Sequence, residues 1–336
     1  MKTPPDWRGI ITVLNTPFTA SDAVDLDALA RHAEHALGAG VAGFLVPALA
    51  SEVGKLTEAE REAVVRTVAG VARGRAVVIG GASSPDREER LRLTRRLTEL
   101  GCDGVLVSLP FTDAEEYMRE VRAVAAQGPP LLMLQDWDPN GFGVPVPVIA
   151  RLFEEVDCFR CLKVEVVPAG VKYSAVLAAT GGRLHVSGGW AVTQMIEAMD
   201  RGVHAIMPTG LHGVYVRIWN LHHAGDRAGA RALFNRLAPV LAFSNQHLDI
   251  SIHFFKRLLH RQGLYPTDRV REPILPFDGC HEKIADELIA LAMGLMDEAG
   301  GDRMDAMDRR DRRDRRDGRD GRDGRDGGDG GDGGDV

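Results

Sequence analysis

The chain has 336 residues, 44% of them hydrophobic, enough to bury one large core or two ordinary ones. Its formal net charge of −7 offers no attraction to nucleic acid or to an anionic membrane surface, and no apolar run reaches the length of a membrane span. The opening segment, Met1 to Gly9, lacks the apolar core of a signal peptide, so the expected location is the cytoplasm.

In chain order, 9–18 reads as a first strand ended by a polar turn, and 26–37 as a helix with Leu26, Leu29, Ala33 and Leu37 on one face. Gly38 and Gly40 stop it. A strand over 42–47 follows, then a helix over 57–71 with Thr57 as N-cap and Glu60 completing a capping box. The alternation continues with strands at 76–80, 104–109, 131–135, 161–166, 184–187 and 205–207. Helices lie between them at 86–100, 113–126, 147–155, 170–179 and 192–200, and another begins near Tyr215. Alternation at this spacing implies parallel strands joined by right-handed crossovers. Eight units are the number that closes a (β/α)8 TIM barrel. An open doubly wound sheet is the alternative, but it usually carries a Gly-rich loop after its first strand, and here that turn is Asn15-Thr16-Pro17-Phe18.

Beyond the barrel (1–225), segments 227–242, 249–262 and 282–298 read as a three-helix cap (226–300). Their stripes are Leu233, Leu237 and Leu241, then Phe254, Leu258 and Leu259, then Ile284, Leu288, Leu291 and Leu295. From 301 to 336, Asp recurs at every third position from Asp302 to Asp335, first with Arg and then with Gly. Ten Arg and twelve Asp nearly cancel and almost nothing apolar remains, so this tail is expected to be disordered. The interleaved Asp opposes a nucleic-acid role.

Cys102, Cys158, Cys161 and Cys280 are too sparse for a disulfide scaffold. Cys158 and Cys161 form a Cys-x-x-Cys, but no second pair follows to complete a zinc site, and the motif leads into a strand rather than opening a helix. Packing is the expected role. The histidines lack a facial arrangement with carboxylates, and no Gly-rich phosphate loop appears. No metal and no cofactor is expected.

In this fold chemistry collects at the C-terminal strand ends. Those ends offer Thr16, Ser51, Glu52, Gln135, Asp136, Gly188, Gly189, Met207 and Thr209. The sixth strand, within Arg160-Cys-Leu-Lys-Val-Glu-Val-Val-Pro168, carries Lys163 and Glu165. Burial disfavours an ammonium, and a free amine attacks carbonyls to form a Schiff base. Snorkelling of Lys163 to a surface carboxylate is the plain alternative. A small polar mouth of this kind suits a small anionic oxo-substrate.

Several of these residues together resemble the dihydrodipicolinate synthase / N-acetylneuraminate lyase family of class I aldolases. They are Thr16-Pro17-Phe18, Ser51-Glu52 followed by Lys55 to Arg61, Lys163, Ser187-Gly188, Gly225-Asp226, and Gly263 near Arg271-Glu-Pro273. The resemblance spans about residues 7–298. It implies an imine between Lys163 and the 2-oxo group of pyruvate or a sugar-derived 2-oxo acid, a carboxylate site in the second strand's loop, and a homo-oligomer, dimer or tetramer. The chain also departs from the pattern. Leu49 and Ala50 stand where the family commonly has two hydroxyl residues, leaving Ser51. Strand five ends Leu134-Gln135-Asp136 without the family's proton-carrying tyrosine. Pro110-Phe111 replaces the partner subunit's tyrosine, and the arginine expected near Pro139 in the dihydrodipicolinate branch is absent. Asp136 and Glu165 are the candidates for moving the proton, with a structural ion pair to Lys163 the alternative for Glu165. Gln135 is left to orient a water. Dihydrodipicolinate synthesis itself is not expected. A barrel that binds a small oxo-acid without turnover is the second reading.

Overall fold

A computed structural model of the chain describes residues 5–320. Eight parallel strands close on themselves in sequence order: β1 (Gly9–Val13), β2 (Gly43–Leu45), β3 (Val77–Gly81), β4 (Gly104–Ser108), β5 (Leu132–Asp138), β6 (Phe159–Val166), β7 (His185–Gly188) and β8 (Ala205–Ile206). Gly9 pairs with Ala205 to complete the ring. The intervening helices are α1 (Leu26–Ala39), α2 (Glu58–Ala72), α3 (Arg87–Glu99), α4 (Ala114–Ala125), α5 (Val146–Glu155), α6 (Ala169–Ala179), α7 (Met195–Asp200) and α8 (His212–His223). The barrel read from the alternation is the fold observed.

Local chemistry starts the helices. Asp25, Thr57, Asp86 and Asp113 each accept backbone N–H groups of the first turn, satisfying donors that the helix itself leaves unpaired. The Thr57–Glu60 capping box is present.

Strand alternation divides the core. Ile11, Val13, Leu45, Ile79, Leu106, Met133, Cys161, Ala205 and Met207 fill the barrel interior. The other strand face, including Leu134, Leu162 and Val164, packs with the helices in a larger outer layer. Cys161 is thus a free, buried interior side chain, and Cys158 packs partly buried against the outer layer.

Three further helices form the cap: α9 (Arg227–Ser244), α10 (Leu248–Arg261) and α11 (Gly279–Asp320). α9 packs on α8 and α11, and α10 lies against a 3-10 turn, Leu49–Ser51, that follows β2. The buried stripe of α11 differs from the expected one. Ala285, Ile289, Ala292, Leu295 and Ala299 face the core, while Ile284 and Leu291 are exposed. The period is helical as expected, but small alanines occupy the inward phase. The helical backbone runs on to Asp320. The part of the expected disordered tail over 321–336 lies outside the described residues.

Sequence reading missed the 3-10 turns at Leu49–Ser51, Val53–Lys55 and Trp190–Gln194 and ended β5 three residues early. β6 is long enough to keep pairing through Asp138–Val166, which carries β5 past Gln135.

Candidate active site

The interior face of β6 reads Cys161, Lys163, Glu165 from floor to mouth. Lys163 lies in register with Gln135 of β5 and Ser187 of β7. It is 7% exposed and Glu165 6%, so the ion pair between them, Nζ to Oε1 at 3.1 Å, is shielded from bulk water. Gln135 Nε2 donates to the other oxygen, Glu165 Oε2. Gly189, just past β7, must be small: a Cβ there would lie 1.9 Å from Glu165 Oε1. Above these groups a cavity of about 770 Å³ opens at the C-terminal strand ends.

Gln135, Lys163, Glu165, Gly189, Met207 and Thr209 all line that cavity. The other expected residues do not. Gly188 is buried within β7, paired with Val164 and Ile206. Thr16, Ser51 and Glu52 sit behind the wall, where they hold the turn that forms it. Thr16 Oγ1 donates to Ser51 O at 2.7 Å, Ser51 Oγ to Leu14 O at 2.6 Å, and Asn15 Nδ2 to Ala50 O at 2.9 Å.

Asp136 is likewise turned away. Period two along β5 sends Gln135 and Trp137 to the mouth and Asp136 to the helix layer. There Asp136 pairs with the buried Lys172 of α6 at 3.0 Å and accepts Val144 N–H at 2.8 Å. Burial pushes its carboxyl pKa up, against the pull of Val144 and Lys172. Asp136 therefore serves the seam between β5 and α6 and does not face the cavity.

Glu52 anchors the cap. Its backbone sits at φ 58°, a left-handed conformation disfavoured for a residue with a Cβ. Its buried carboxylate faces Lys256 of α10 and Lys55 at 3.3 Å, and accepts Arg271 N–H at 2.9 Å. Lys256 lies over the Phe18 ring at 4.0 Å, and its pKa is lowered to about 8 by burial, with Glu52 opposing. Arg271 also grips Glu60, at 2.6 Å, so one arginine joins the cap to both the turn and α2.

Sequence reading missed several cavity residues. Trp137 follows Gln135 by two and shares its face, a signal present in the strand period. Tyr215 of α8 also lines the cavity; burial raises its phenol pKa, so it stays a donor. The α9–α10 junction, Asn245 to Leu248, with Ser251 and Phe255, roofs the site, and no local pattern announces that.

These features define a (β/α)8 barrel with a candidate site at the C-terminal face of the strands, where chemistry collects in this fold. A family profile described as the Dihydrodipicolinate synthetase family matches residues 6–291. The chain belongs to this family, whose members are lyases. It is 28% identical over 294 residues to a 4-hydroxy-tetrahydrodipicolinate synthase of Xanthomonas campestris pv. campestris, covering 85% of this chain and 95% of the relative. It is 25% identical over 305 residues to an L-2-keto-3-deoxyarabonate dehydratase of Azospirillum brasilense, covering 87% and 95%. The crystal structure of a dihydrodipicolinate synthase from Rhodopseudomonas palustris superposes with a TM-score of 0.79 at 23% identity, over 87% of this chain and 99% of that one, and shows the same fold. No helix among the described residues is long and apolar enough to cross a membrane.

Proposed function

We propose that the chain is a Schiff-base-forming lyase, an aldolase or dehydratase that works on pyruvate or another 2-oxo acid through Lys163. The observation that carries this reading is a cavity-facing lysine amine walled into β6, with one carboxylate, Glu165, 3.1 Å away. In the proposed reaction Nζ attacks the C2 carbonyl, and the carbinolamine loses water to give the iminium. The iminium then draws in the electron pair released when a bond at C3 breaks. Glu165 moves the protons, the part that the resemblance gives to a tyrosine, and Gln135 holds its second oxygen in place. The first N–H groups of the Leu49–Ser51 turn have no partner within that turn and are suited to receive the substrate carboxylate. Thr16, Ser51 and Glu52 act in this reading by fixing the turn.

Dihydrodipicolinate synthesis is not the reaction we propose. β5 ends without a tyrosine, no arginine stands near Pro139, and no arginine lines the cavity among the described residues. The same gaps, with Leu49 and Ala50 at the wall, favour a second reading: a barrel that binds an oxo-acid without turnover. We further propose barrel, cap and tail divisions at 1–225, 226–300 and 301–336, a cytoplasmic location and a homo-oligomer, dimer or tetramer. The exposed Phe142 and Val167 beside the mouth support the last point, and light scattering on the purified chain tests it.

Borohydride with pyruvate or a related 2-oxo acid is expected to leave a reduced adduct on Lys163, located by peptide mass spectrometry and absent from Lys163→Ala. Glu165→Gln should slow turnover by about 10²–10⁴-fold. An empty Lys163 after a panel of 2-oxo acids sinks the proposal. Ligand binding untouched by Lys163→Ala, with no turnover in either form, supports the second reading.

A further inference from the structure

Two walls of the cavity are tied together at a point outside it. α10 gives Ser251 and Phe255 to the roof, and the Leu49–Ser51 turn gives Leu49 and Ala50 to the side. Lys256, one position past Phe255, does not line the cavity and is fully buried. Its Nζ reaches Glu52 Oε1. Glu52 is the residue that closes the turn, since its N–H donates to Leu49 O at 3.0 Å. One ion pair thus joins the roof to the side wall.

The surroundings leave this pair few substitutes. Glu52 Oε2 is shared by Lys55 Nζ at 3.3 Å and the Arg271 N–H at 2.9 Å, so Oε1 is left to Lys256. The Arg271 guanidinium is engaged with Glu60 and Asp22. Lys256 Nζ also donates to Arg269 O at 2.7 Å and lies over the Phe18 ring. The Tyr265 phenol and His253 of α10 feel the Glu52 charge as well. A neutral Lys256 leaves Oε1 buried without its counter-charge. The affected residue sits at φ 58°, a conformation that persists only where neighbours enforce it. The N–H groups of Leu49 and Ala50 have no hydrogen-bond partner among the described residues, so their aim follows the shape of the turn that Glu52 closes.

We infer that Lys256 is a positioning residue for substrate capture: its ammonium, clamped on Glu52, holds the Leu49–Ser51 turn in the shape that receives the carboxylate of the 2-oxo acid. This rests on the Schiff-base reading of Lys163 and on the turn as the carboxylate site. Affinity then depends on a proton held outside the cavity. Burial lowers the Lys256 pKa to about 8, against the pull of Glu52. Capture is therefore strongest below that pH and weakens as pH rises through it. Linkage is reciprocal, so the bound 2-oxo acid in turn favours the ammonium.

The test uses the full chain, with pyruvate as the probe and borohydride as the trap. Mass spectrometry gives the pyruvate concentration that half-saturates trapping on Lys163, and the maximal trapping rate. Both are measured at about pH 7 and about pH 9.5, on either side of the Lys256 transition. At the lower pH, Lys256→Met should need about tenfold more pyruvate than the parent, with a maximal rate within about threefold. At the higher pH most of that gap should close, because the parent has lost the same charge. Lys256→Arg keeps the charge and should keep the low requirement at both. The ionisation of Lys163 itself moves parent and variants together and cancels from their ratio. A merely structural lysine would lower Tm and leave the ratio independent of pH. No gap at the lower pH, or an equal gap at both, overturns the inference, while the adduct leaves the Schiff-base reading standing. Should Lys256→Met fail to fold, the parent is compared with Lys256→Arg: a ratio that climbs with pH supports the inference and a constant one overturns it. Absence of any adduct in the parent overturns the Schiff-base reading and this inference with it.

Discussion

Two neighbours on β5 show how much one residue's direction decides. Gln135 lies in the cavity wall and touches Glu165; Asp136, one position on, is a partner of Lys172. Asp136→Asn should therefore leave turnover per folded molecule within about threefold of the parent while lowering stability, because a buried ammonium loses its counter-charge at a cost approaching 3–5 kcal/mol. Urea unfolding and initial rates on the same samples check both parts, and a rate collapse without destabilisation would return Asp136 to the chemistry. Gly189 makes the opposite case. The three atoms nearest an added Cβ all belong to the Glu165 side chain, which can swing aside, so Gly189→Ala should shift Tm by no more than about 3 °C. It removes Glu165 from its place beside Lys163, and kcat should fall toward the level of Glu165→Gln, about 10²-fold or more. Paired melting curves and kcat values decide it.

At the scale of elements, the strands and helices were readable because hydrophobic period and capping residues agreed nearly everywhere, as at Thr57–Glu60. Lys163 and Glu165 were readable for the same reason: they stand out on an apolar strand at the spacing that puts both on one face. Asp136 was misplaced only because β5 was ended too soon, hiding the alternation that separates it from Gln135 and Trp137. Thr16, Ser51 and Glu52 were found as a group but expected at the cavity, and the structure places them behind its wall. Their partners are backbone oxygens and cap cations, and nothing local in the sequence foretells those. The cap's grip on this region gives a pH signature. Hydrogen bonding from Arg271 holds the Glu60 carboxyl down to about 2, from an ordinary 4.5. Since the folded value is depressed, its stabilising effect is complete above pH 4.5 and is lost as pH falls toward 2. Arg271→Met should flatten the Tm-versus-pH curve across that window relative to the parent, and an unchanged acid limb would show the grip to be without effect.

For the molecule as a whole, the last buried side chain described on α11 is Ala299. Past it the sequence offers only Met304, Ala306, Met307 and Val336 as apolar residues. Removing 301–336 should therefore leave Tm within about 2 °C of the parent and kcat unchanged; a large drop in either would give the tail a structural role. The barrel was legible as a count of repeating units, but the cavity's roof was not, because it is built by residues brought over the mouth only when α9 and α10 dock.

The link between Glu52 and the cap has a temporal side. Arg271 reaches back to a residue 219 positions earlier, so a ribosome has already made every stave of the barrel before Lys256 and Arg271, the cap's partners of Glu52, exist. Until they arrive, Lys55 alone of the partners of Glu52 stands beside it, and the turn at the pocket wall is not yet tied to the cap.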